Sequence, residues 1–202
     1  MRVHLRQTRA IAAFALAILP ITTVLCGQSP QRNTFRSNRI KNFGCINENF
    51  YRGAQPTDRD YAELAAAGIK TIVDLQQDGS AGEQRLVETT GMKFYRVGLS
   101  DKDWPSPDQA ERFLKVVNDP DNQPVFVHCH GGKHRAGIMT AIYRMTHDGW
   151  TADKAYAEMK QYGFESGFGH GGLRDYVYDY YARVGNKDVT VGVQAEKVGN
   201  KQ

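Results

Sequence analysis

Residues 124–137 read P-V-F-V-H-C-H-G-G-K-H-R-A-G, and this stretch decides the fold. Its apolar start, Val125–Val127, is short and continuous, which predicts a strand buried on both faces. Residues 137–148 then carry apolar side chains at helical spacing, namely Ile138, Met139, Ile142 and Met145. A buried strand that passes through a short loop into a helix is the building unit of an α/β domain.

The rest of the chain alternates in the same way. Further strands are predicted at Phe50–Arg52, Ile69–Leu75 and Lys93–Leu99. Helices are predicted after the capping residue Thr57, over Glu83–Thr90, after Ser106-Pro107, and over 137–148, 151–162 and 173–184. Strands that alternate with helices predict one α/β domain with a central, mostly parallel sheet flanked by helices on both faces.

Polar composition marks the two ends of this domain. Residues 28–42 are polar and irregular, which predicts a linker, and residues 43–184 are then expected to form the domain. Residues 185–202 are poor in large apolar side chains, which predicts a flexible tail.

The first 27 residues have the order of a secretory signal peptide. Three arginines precede the apolar run Ala10–Leu19, and small or neutral residues close the segment. This order predicts a cleaved signal at 1–27 and an exported protein, periplasmic or associated with the cell envelope. We then expect no integral membrane domain after cleavage. An uncleaved anchor and a lipoprotein modified at Cys26 are the alternatives.

Charge and cysteine content exclude several classes of protein. The 202 residues contain 26 Lys and Arg against 22 Asp and Glu, and residues 1–27 hold three of the arginines and no acid. The remainder is close to neutral, which argues against a nucleic-acid partner. The cysteines are Cys26, Cys45 and Cys129, with no CxxC pair. This content excludes a disulfide framework and gives no sign of structural zinc, and we expect no cofactor.

The loop after the apolar strand carries the chemistry. Cys129 and Arg135 bracket five residues, which are His130, Gly131, Gly132, Lys133 and His134. On a strand-to-helix turn, backbone N–H groups and the helix N-terminus create a cradle for one phosphate group. The same positive potential favours the thiolate form of Cys129, and Arg135 matches two phosphoryl oxygens with its planar guanidinium. We call residues 129–135 the phosphate loop and expect its five bracketed residues to bind the substrate.

Three other interpretations of this loop are open. Cys129 could be an ordinary buried thiol, since free cysteine is often buried. The cluster of His128, Cys129, His130 and His134 could bind a metal, although adjacent strand residues point apart and no second cluster completes four ligands. A rhodanese-type sulfurtransferase also uses a cysteine in an anion-binding loop. The planar guanidinium of Arg135, which matches two phosphoryl oxygens, favours a phosphate ligand.

Residues 128–135 consist of a His-Cys pair, five further residues that include Gly132, and an arginine. This signature resembles that of the cysteine-dependent tyrosine and dual-specificity phosphatases. Upstream, N-F-G at 42–44 and Y-R-G-A-Q-P at 51–56 look like the opening of the plant, fungal and bacterial atypical dual-specificity phosphatases. The resemblance covers Asn42–Phe164 and implies a dual-specificity phosphatase-like fold. The end of the signature looks closest to members that act on inositol pyrophosphates.

The resemblance implies a metal-independent, two-step hydrolysis of phosphate monoesters. Cys129 would attack phosphorus to form a cysteinyl-phosphate, Arg135 would clamp the phosphate, and water would then release it. The resemblance also implies an aspartate that protonates the leaving group, for which Asp101 is the first choice and Asp103 the second. The implied substrate is a protein phosphorylated on tyrosine, serine or threonine, or an inositol phosphate.

Two departures from the family pattern bear on activity. In Trp104-Pro105-Ser106, serine stands where the tyrosine phosphatases have their acid. Ala136 follows the arginine where the superfamily usually has Ser or Thr, whose hydroxyl supports the leaving sulfur. We therefore expect slow breakdown of the cysteinyl-phosphate. The alternative to an active enzyme is a catalytically impaired, phosphate-binding pseudophosphatase.

Two upstream residues carry separate hypotheses. Cys45 could form a reversible disulfide with Cys129 that protects it from overoxidation, or it could pack as an ordinary apolar cysteine. We expect Arg52 to have a structural role, in which it pairs with an acid or with carbonyl groups near the phosphate loop.

Overall fold

The computed structural model describes residues 35–165 and 172–185. The predicted signal peptide 1–27, the first part of the predicted linker, the glycine-rich stretch around His170 and the predicted tail beyond Gly185 lie outside these residues. No helix among the described residues is long and apolar enough to cross a membrane.

In the described part of the chain, strands and helices alternate. The strands are β1 (Gly44–Asn47), β2 (Phe50–Ala54), β3 (Thr71–Gln76), β4 (Lys93–Leu99) and β5 (Val125–Cys129). The helices are α1 (Asp58–Ala66), α2 (Glu83–Thr89), α3 (Pro107–Asn118), α4 (His134–His147), α5 (Ala152–Gln161) and α6 (172–185). A short 3₁₀ turn, Pro120–Asn122, precedes β5.

These strands form one sheet in the order β1-β2-β5-β3-β4. Strands β2, β5, β3 and β4 run parallel to one another, and β1 pairs antiparallel with β2, with Cys45 opposite Tyr51. The predicted α/β class, with a mostly parallel sheet flanked by helices, is confirmed. The sequence pattern does not predict β1, because four residues with one large aliphatic side chain, Ile46, carry little periodicity.

Capping residues set the helix boundaries. Ser106 Oγ accepts a hydrogen bond from the N–H of Gln109 at 3.2 Å, and Gln109 Oε1 accepts one from the N–H of Ser106 at 2.8 Å. With Pro107 in the first helical position, this reciprocal pair satisfies donors that a helix start leaves free. After α1, Gly68 adopts a φ of 89°, which glycine reaches without steric penalty. Both boundaries were predicted from these residues.

The sheet separates two hydrophobic clusters. One lies against α1 and α2 and includes Tyr61 and Val87. The other lies against α3 to α6 and includes Phe113, Ile142 and Tyr176. Because helices cover both faces, the open edge at the carboxyl ends of β5, β3 and β4 is where a ligand can approach the sheet.

The packed chain begins before Phe43, where we placed the start of the domain. Phe35 contacts Phe43 edge-on, with ring centroids 5.4 Å apart, and Ile40 is buried. The carbonyl of Lys41 accepts a hydrogen bond from the N–H of Ala54 at 2.9 Å. The end of the predicted linker therefore packs on the domain, because its apolar residues have a surface to cover.

Candidate active site

The phosphate loop joins the end of β5 to the start of α4. Cys129 is the last residue of β5 and is only 3% exposed. Helix α4 begins at His134, so Arg135 lies in its first turn. This start is three residues before the predicted one at Gly137, because the polar first turn of α4 lacks apolar periodicity. The N–H groups that a helix start leaves free are therefore next to Cys129.

A cavity of about 310 Å³ opens at this loop. Its lining residues are Asp101, Cys129, His130, Gly131, Lys133, His134 and Arg135. The structure thus brings together seven of the eight residues predicted for the site, and Gly132 is the exception. Asp103, the second choice for the acid, does not line this cavity. A thiol, a guanidinium and a carboxyl group therefore face one small space.

Gly132 packs against β2 instead of lining the cavity. It adopts a φ of 65°, and a Cβ atom at this position would lie 2.5 Å from the backbone nitrogen of Ala54 and 2.5 Å from the carbonyl carbon of Gly53. Only glycine fits so close to another backbone. Glycine at 132 therefore lets the loop pack closely on β2, and substrate binding by the backbone N–H of Gly132 stays a prediction.

Two contacts orient the guanidinium of Arg135. Its Nη1 donates to the carbonyl of Leu99, the last residue of β4, at 3.5 Å, and lies 3.6 Å from Asp78 Oδ1. Asp78 is 88% exposed, so water screens this ion pair and a phosphate can replace it. Sequence reasoning missed Asp78, because its approach to Arg135 depends on β3, β4 and β5 being neighbours.

A buried polar cluster is centred on His128, the residue before the nucleophile candidate. His128 Nε2 lies 2.8 Å from Glu83 Oε1, and the same oxygen accepts hydrogen bonds from Tyr61 at 2.5 Å and from Gln55 at 3.0 Å. Burial alone would raise the pKa of Glu83, but the hydrogen bond and charge of His128 and the other donors hold that pKa well below its usual range. Glu83 is therefore a buried carboxylate, and sequence reasoning did not identify it.

Asp74 joins Glu83 and His128 in this cluster, and ligand atoms of the three residues lie within 4.8 Å of one another. Arg96 already supplies a cation there: its Nε donates to Asp74 Oδ2 at 2.8 Å, and its Nη2 lies 3.6 Å from Glu83 Oε2. A metal ion would have to displace these donors, so the residues fit a hydrogen-bonded scaffold better than a metal centre. Within the described residues, His128 belongs to this buried cluster, whereas His130 and His134 line the cavity, so the three histidines do not form one metal-binding group.

The sheet register places Cys45 too far from Cys129 for a disulfide. Cys45 pairs with Tyr51 across β1 and β2, whereas Cys129 pairs with Ala54 across β5 and β2. Two strand spacings and three residues along β2 separate the two Cα atoms by about 14 Å. A disulfide requires less than about 7 Å, so the protective disulfide hypothesis is wrong for this conformation. The thiol of Cys45 instead donates to the carbonyl of Asn47 at 3.3 Å.

The predicted structural role of Arg52 is confirmed. Arg52 is fully buried, and its Nη2 donates to the carbonyl of Gly132 in the phosphate loop. Its guanidinium also lies over the ring of Tyr162, 4.4 Å from the ring centroid.

Comparison with known protein families agrees with this geometry. Residues 35–170 match the family model described as "PTP-NADK: DSP-PTPase phosphatase fused to NAD+ Kinase". The chain belongs to this family. The match includes every element from β1 to α5 and the whole phosphate loop. The predicted relationship to the dual-specificity phosphatases is therefore confirmed.

Relatives of this dual-specificity phosphatase family member occur in plants, fungi and bacteria. Inositol diphosphatase DSP3 of Arabidopsis thaliana is 30% identical over 108 residues, which are 51% of this chain and 53% of that protein. The core catalytic domain of PP-IP phosphatase SIW14 from S. cerevisiae, solved with citrate, has a TM-score of 0.61 at 24% identity. That comparison covers 74% of this chain and 93% of the yeast chain.

A bacterial structure shares the fold as well. TpbA from P. aeruginosa, solved in complex with pTyr, has a TM-score of 0.59 at 20% identity and covers 77% of this chain and 98% of its own. The present chain spans about half the length of the plant inositol diphosphatase that it matches.

Proposed function

We propose that this chain is a cysteine-dependent phosphatase that hydrolyses phosphate monoesters through a cysteinyl-phosphate intermediate. The observation that carries the proposal is the shared cavity, which is lined by Cys129, Arg135 and Asp101. A nucleophile, a bidentate anion ligand and an acid in one small space are the groups that this chemistry needs.

The first step transfers the phosphoryl group to the protein. Backbone N–H groups of the phosphate loop and the guanidinium of Arg135 bind the phosphoryl oxygens. The Cys129 sulfur attacks phosphorus, an S–P bond forms, and the P–O bond to the leaving group breaks. Asp101 gives its proton to the departing oxygen. The exposed position of Asp101 at the cavity suits this role, because the leaving group remains close to solvent.

The second step regenerates the thiolate. A water molecule attacks phosphorus from the side that the leaving group has vacated, and the carboxylate of Asp101 accepts its proton. The S–P bond breaks, phosphate leaves, and Cys129 returns to the thiolate form. No hydroxyl at position 136 supports the departing sulfur, so this step is expected to limit turnover.

The charge of the cavity wall favours a substrate with more than one phosphate. His130, Lys133 and His134 line the cavity beside Arg135, and Asp101 is the one acid that lines it among residues 35–165 and 172–185. Two of the relatives are named for inositol diphosphate or PP-IP substrates, and a third was solved with phosphotyrosine. We propose that inositol polyphosphates and phosphotyrosine proteins are the two substrate classes to compare.

Phosphate release by the purified protein tests the proposal. Wild type, Cys129→Ser and the matched control Cys45→Ser are assayed without added metal against inositol polyphosphates and phosphotyrosine peptides. We expect release by wild type and Cys45→Ser and at least a thousandfold loss in Cys129→Ser. Substrate binding without release by wild type would contradict the proposal and identify a pseudophosphatase.

The same proposal includes export through residues 1–27, on the charge and apolar order of that segment. The test is expression of the full chain in a bacterial host with a periplasm, followed by cell fractionation and intact-mass measurement. We expect periplasmic or envelope-associated protein that has lost the predicted signal. Uncleaved protein in the cytoplasm would contradict export.

A further inference from the structure

The phosphate loop turns three consecutive carbonyl groups toward one neighbouring segment, residues 42–55, which we call the upstream segment. The carbonyl of His130 accepts a hydrogen bond from the N–H of Gln55 at 3.3 Å. The carbonyl of Gly131 accepts one from Asn42 Nδ2 at 2.7 Å, and that of Gly132 accepts one from the guanidinium of Arg52.

This pattern determines where the loop directs its N–H groups. In a trans peptide the C=O of one residue and the N–H of the next point in opposite directions. Because the carbonyls of residues 130–132 face the upstream segment, the N–H groups of residues 131–133 face the opposite way, which is the cavity side. Removal of a donor would leave its carbonyl without a partner and release that peptide to rotate.

Arg52 also places a positive charge inside the protein. Its side chain is completely buried, and no carboxylate among residues 35–165 and 172–185 lies within ion-pair distance of it. Nε and Nη1 of Arg52 have no hydrogen-bond partner within the same residues. Burial of a cation with so few partners lowers the stability of the folded protein, and a nearby negative charge would offset this cost.

A phosphoryl group bound in the phosphate loop can supply such a charge. Burial lowers the pKa of Arg52 to about 10, so the guanidinium remains cationic at neutral pH. The charge of Cys129 is the strongest attraction that opposes this fall. A bound phosphoryl group would add negative charge in the same place. The attraction acts in a low-dielectric interior and is therefore little screened by salt.

We propose that Arg52 and Asn42 are positioning residues of the phosphate loop: through their hydrogen bonds to the carbonyls of Gly132 and Gly131, both direct its N–H groups into the cavity. This inference rests on the proposed function, because it assigns the loop a phosphoryl ligand. Neither residue lines the cavity, so neither is expected to touch the substrate.

The test measures alkylation of Cys129 by iodoacetamide, read from the Cys129 peptide by mass spectrometry, with and without inorganic phosphate. The variants separate charge from geometry. Arg52→Met removes the charge and the donors, and Arg52→Lys keeps the charge without the planar fork. Asn42→Gly removes one donor and tolerates the φ of 52° at this position. Arg59→Met, an exposed arginine on α1 that pairs with Glu63, is the matched control.

We expect Arg52→Met to weaken protection by phosphate about tenfold, because the loop loses both a donor and a nearby positive charge. Arg52→Lys and Asn42→Gly should each lose protection several-fold. The proposal is overturned if all three variants are protected by phosphate as well as Arg59→Met is and differ from it only in thermal stability.

Two features keep this test decisive. If Arg52→Met does not fold, Asn42→Gly still measures the positioning effect, and unchanged phosphate protection in that variant would contradict the proposal. Alkylation and phosphate protection require no turnover. A wild-type protein that binds phosphate but releases none from substrates would therefore contradict the proposed activity without contradicting this inference.

Discussion

Ala136 directly follows the arginine that closes the phosphate loop, and its methyl side chain is fully buried. No hydroxyl at this position can donate to the Cys129 sulfur when the S–P bond breaks. The rate of the second step therefore depends on the remaining groups of the site, the aspartate and the positive potential of the loop.

Ala136→Ser is expected to increase steady-state turnover several-fold, because the added hydroxyl stabilises the departing thiolate. Wild type should release a burst of leaving group equal to the enzyme concentration and then turn over slowly, and the variant should lose the burst. Rapid-quench measurement of leaving group and phosphate checks this. A wild-type progress curve without a burst, together with unchanged turnover in the variant, would show that the second step is not limiting.

The acid can be assigned by comparing Asp101 with Asp103, which lie on the same loop but differ in access to the cavity. Asp101→Asn should lower kcat about a hundredfold for a substrate with a poor leaving group, and Asp103→Asn should leave it near wild type. With a leaving group that needs no proton, the Asp101→Asn defect should shrink. An equal defect on both leaving groups would indicate a binding role instead.

Sequence patterns predicted the site residues that are consecutive in the chain, and the family resemblance added Asp101, but Asp78 and Glu83 were missed. The loop from Cys129 to Arg135 is one uninterrupted motif, so its chemistry can be inferred locally. Asp78 follows β3 and Glu83 is the first residue of α2, and they contact Arg135 and His128, which come some fifty residues later in the chain. Their roles depend on strand order, which no local pattern encodes.

At the scale of elements, the phosphate loop and β2 form one packed unit. Gly132 fits against the backbone of Gly53 and Ala54, and the hydrogen bonds from the upstream segment fix the peptides on either side of it. The neighbouring Gly131 is unconstrained in comparison, because the nearest atom to a Cβ there would be Lys133 Cγ at 4.0 Å.

Alanine at these two adjacent glycines should therefore have different effects. Gly132→Ala introduces both a φ that alanine rarely adopts and a backbone clash, and is expected to lower the free energy of unfolding by about 2–4 kcal/mol. Gly131→Ala should change it by less than about 1 kcal/mol. Urea unfolding of both variants checks this. Similar stability losses at the two positions would contradict the close packing of the loop on β2.

Elements with strong internal patterns were predicted well. The bounds of β4, Lys93–Leu99, agree with the prediction, and the caps at Ser106 and Thr57 place α3 and α1 correctly. Along β4, however, Tyr95 is 37% exposed while Val97 and Leu99 are buried. Because β4 is an edge strand, its first half is more exposed than its second, and alternation alone does not show where burial begins.

At the scale of the whole molecule, the buried cluster links four elements of the fold. Asp74 belongs to β3, Glu83 to α2 and His128 to β5, and Arg96 of β4 reaches the first two. The cluster therefore couples the central strands to the helix that covers one face of the sheet. This coupling depends on the ion pairs that Arg96 forms with Asp74 and Glu83.

Stability is expected to fall in acid through Glu83. Its folded pKa lies below the ordinary value of 4.5, so the unfolded chain binds a proton more readily than the native protein. The contribution of Glu83 is therefore complete above about pH 4.5 and is lost as the pH falls toward about 2. Urea midpoints measured between pH 7 and pH 3 should drop less steeply in Glu83→Gln than in wild type. Glu111→Gln, on exposed surface, should follow the wild-type slope, and a parallel slope in Glu83→Gln would refute this account.

The dependence of the phosphate loop on the upstream segment limits its use in protein design. Residues 128–135 look like a portable motif that a designer could transplant onto the strand–helix turn of any α/β scaffold. On a foreign scaffold, the three outward carbonyls would lack the donors of Asn42, Arg52 and Gln55, and the glycine at 132 would lose the backbone on which it rests. A working graft must therefore bring residues 42–55 along on the adjacent strand, with Tyr162 or an equivalent ring to shield the arginine.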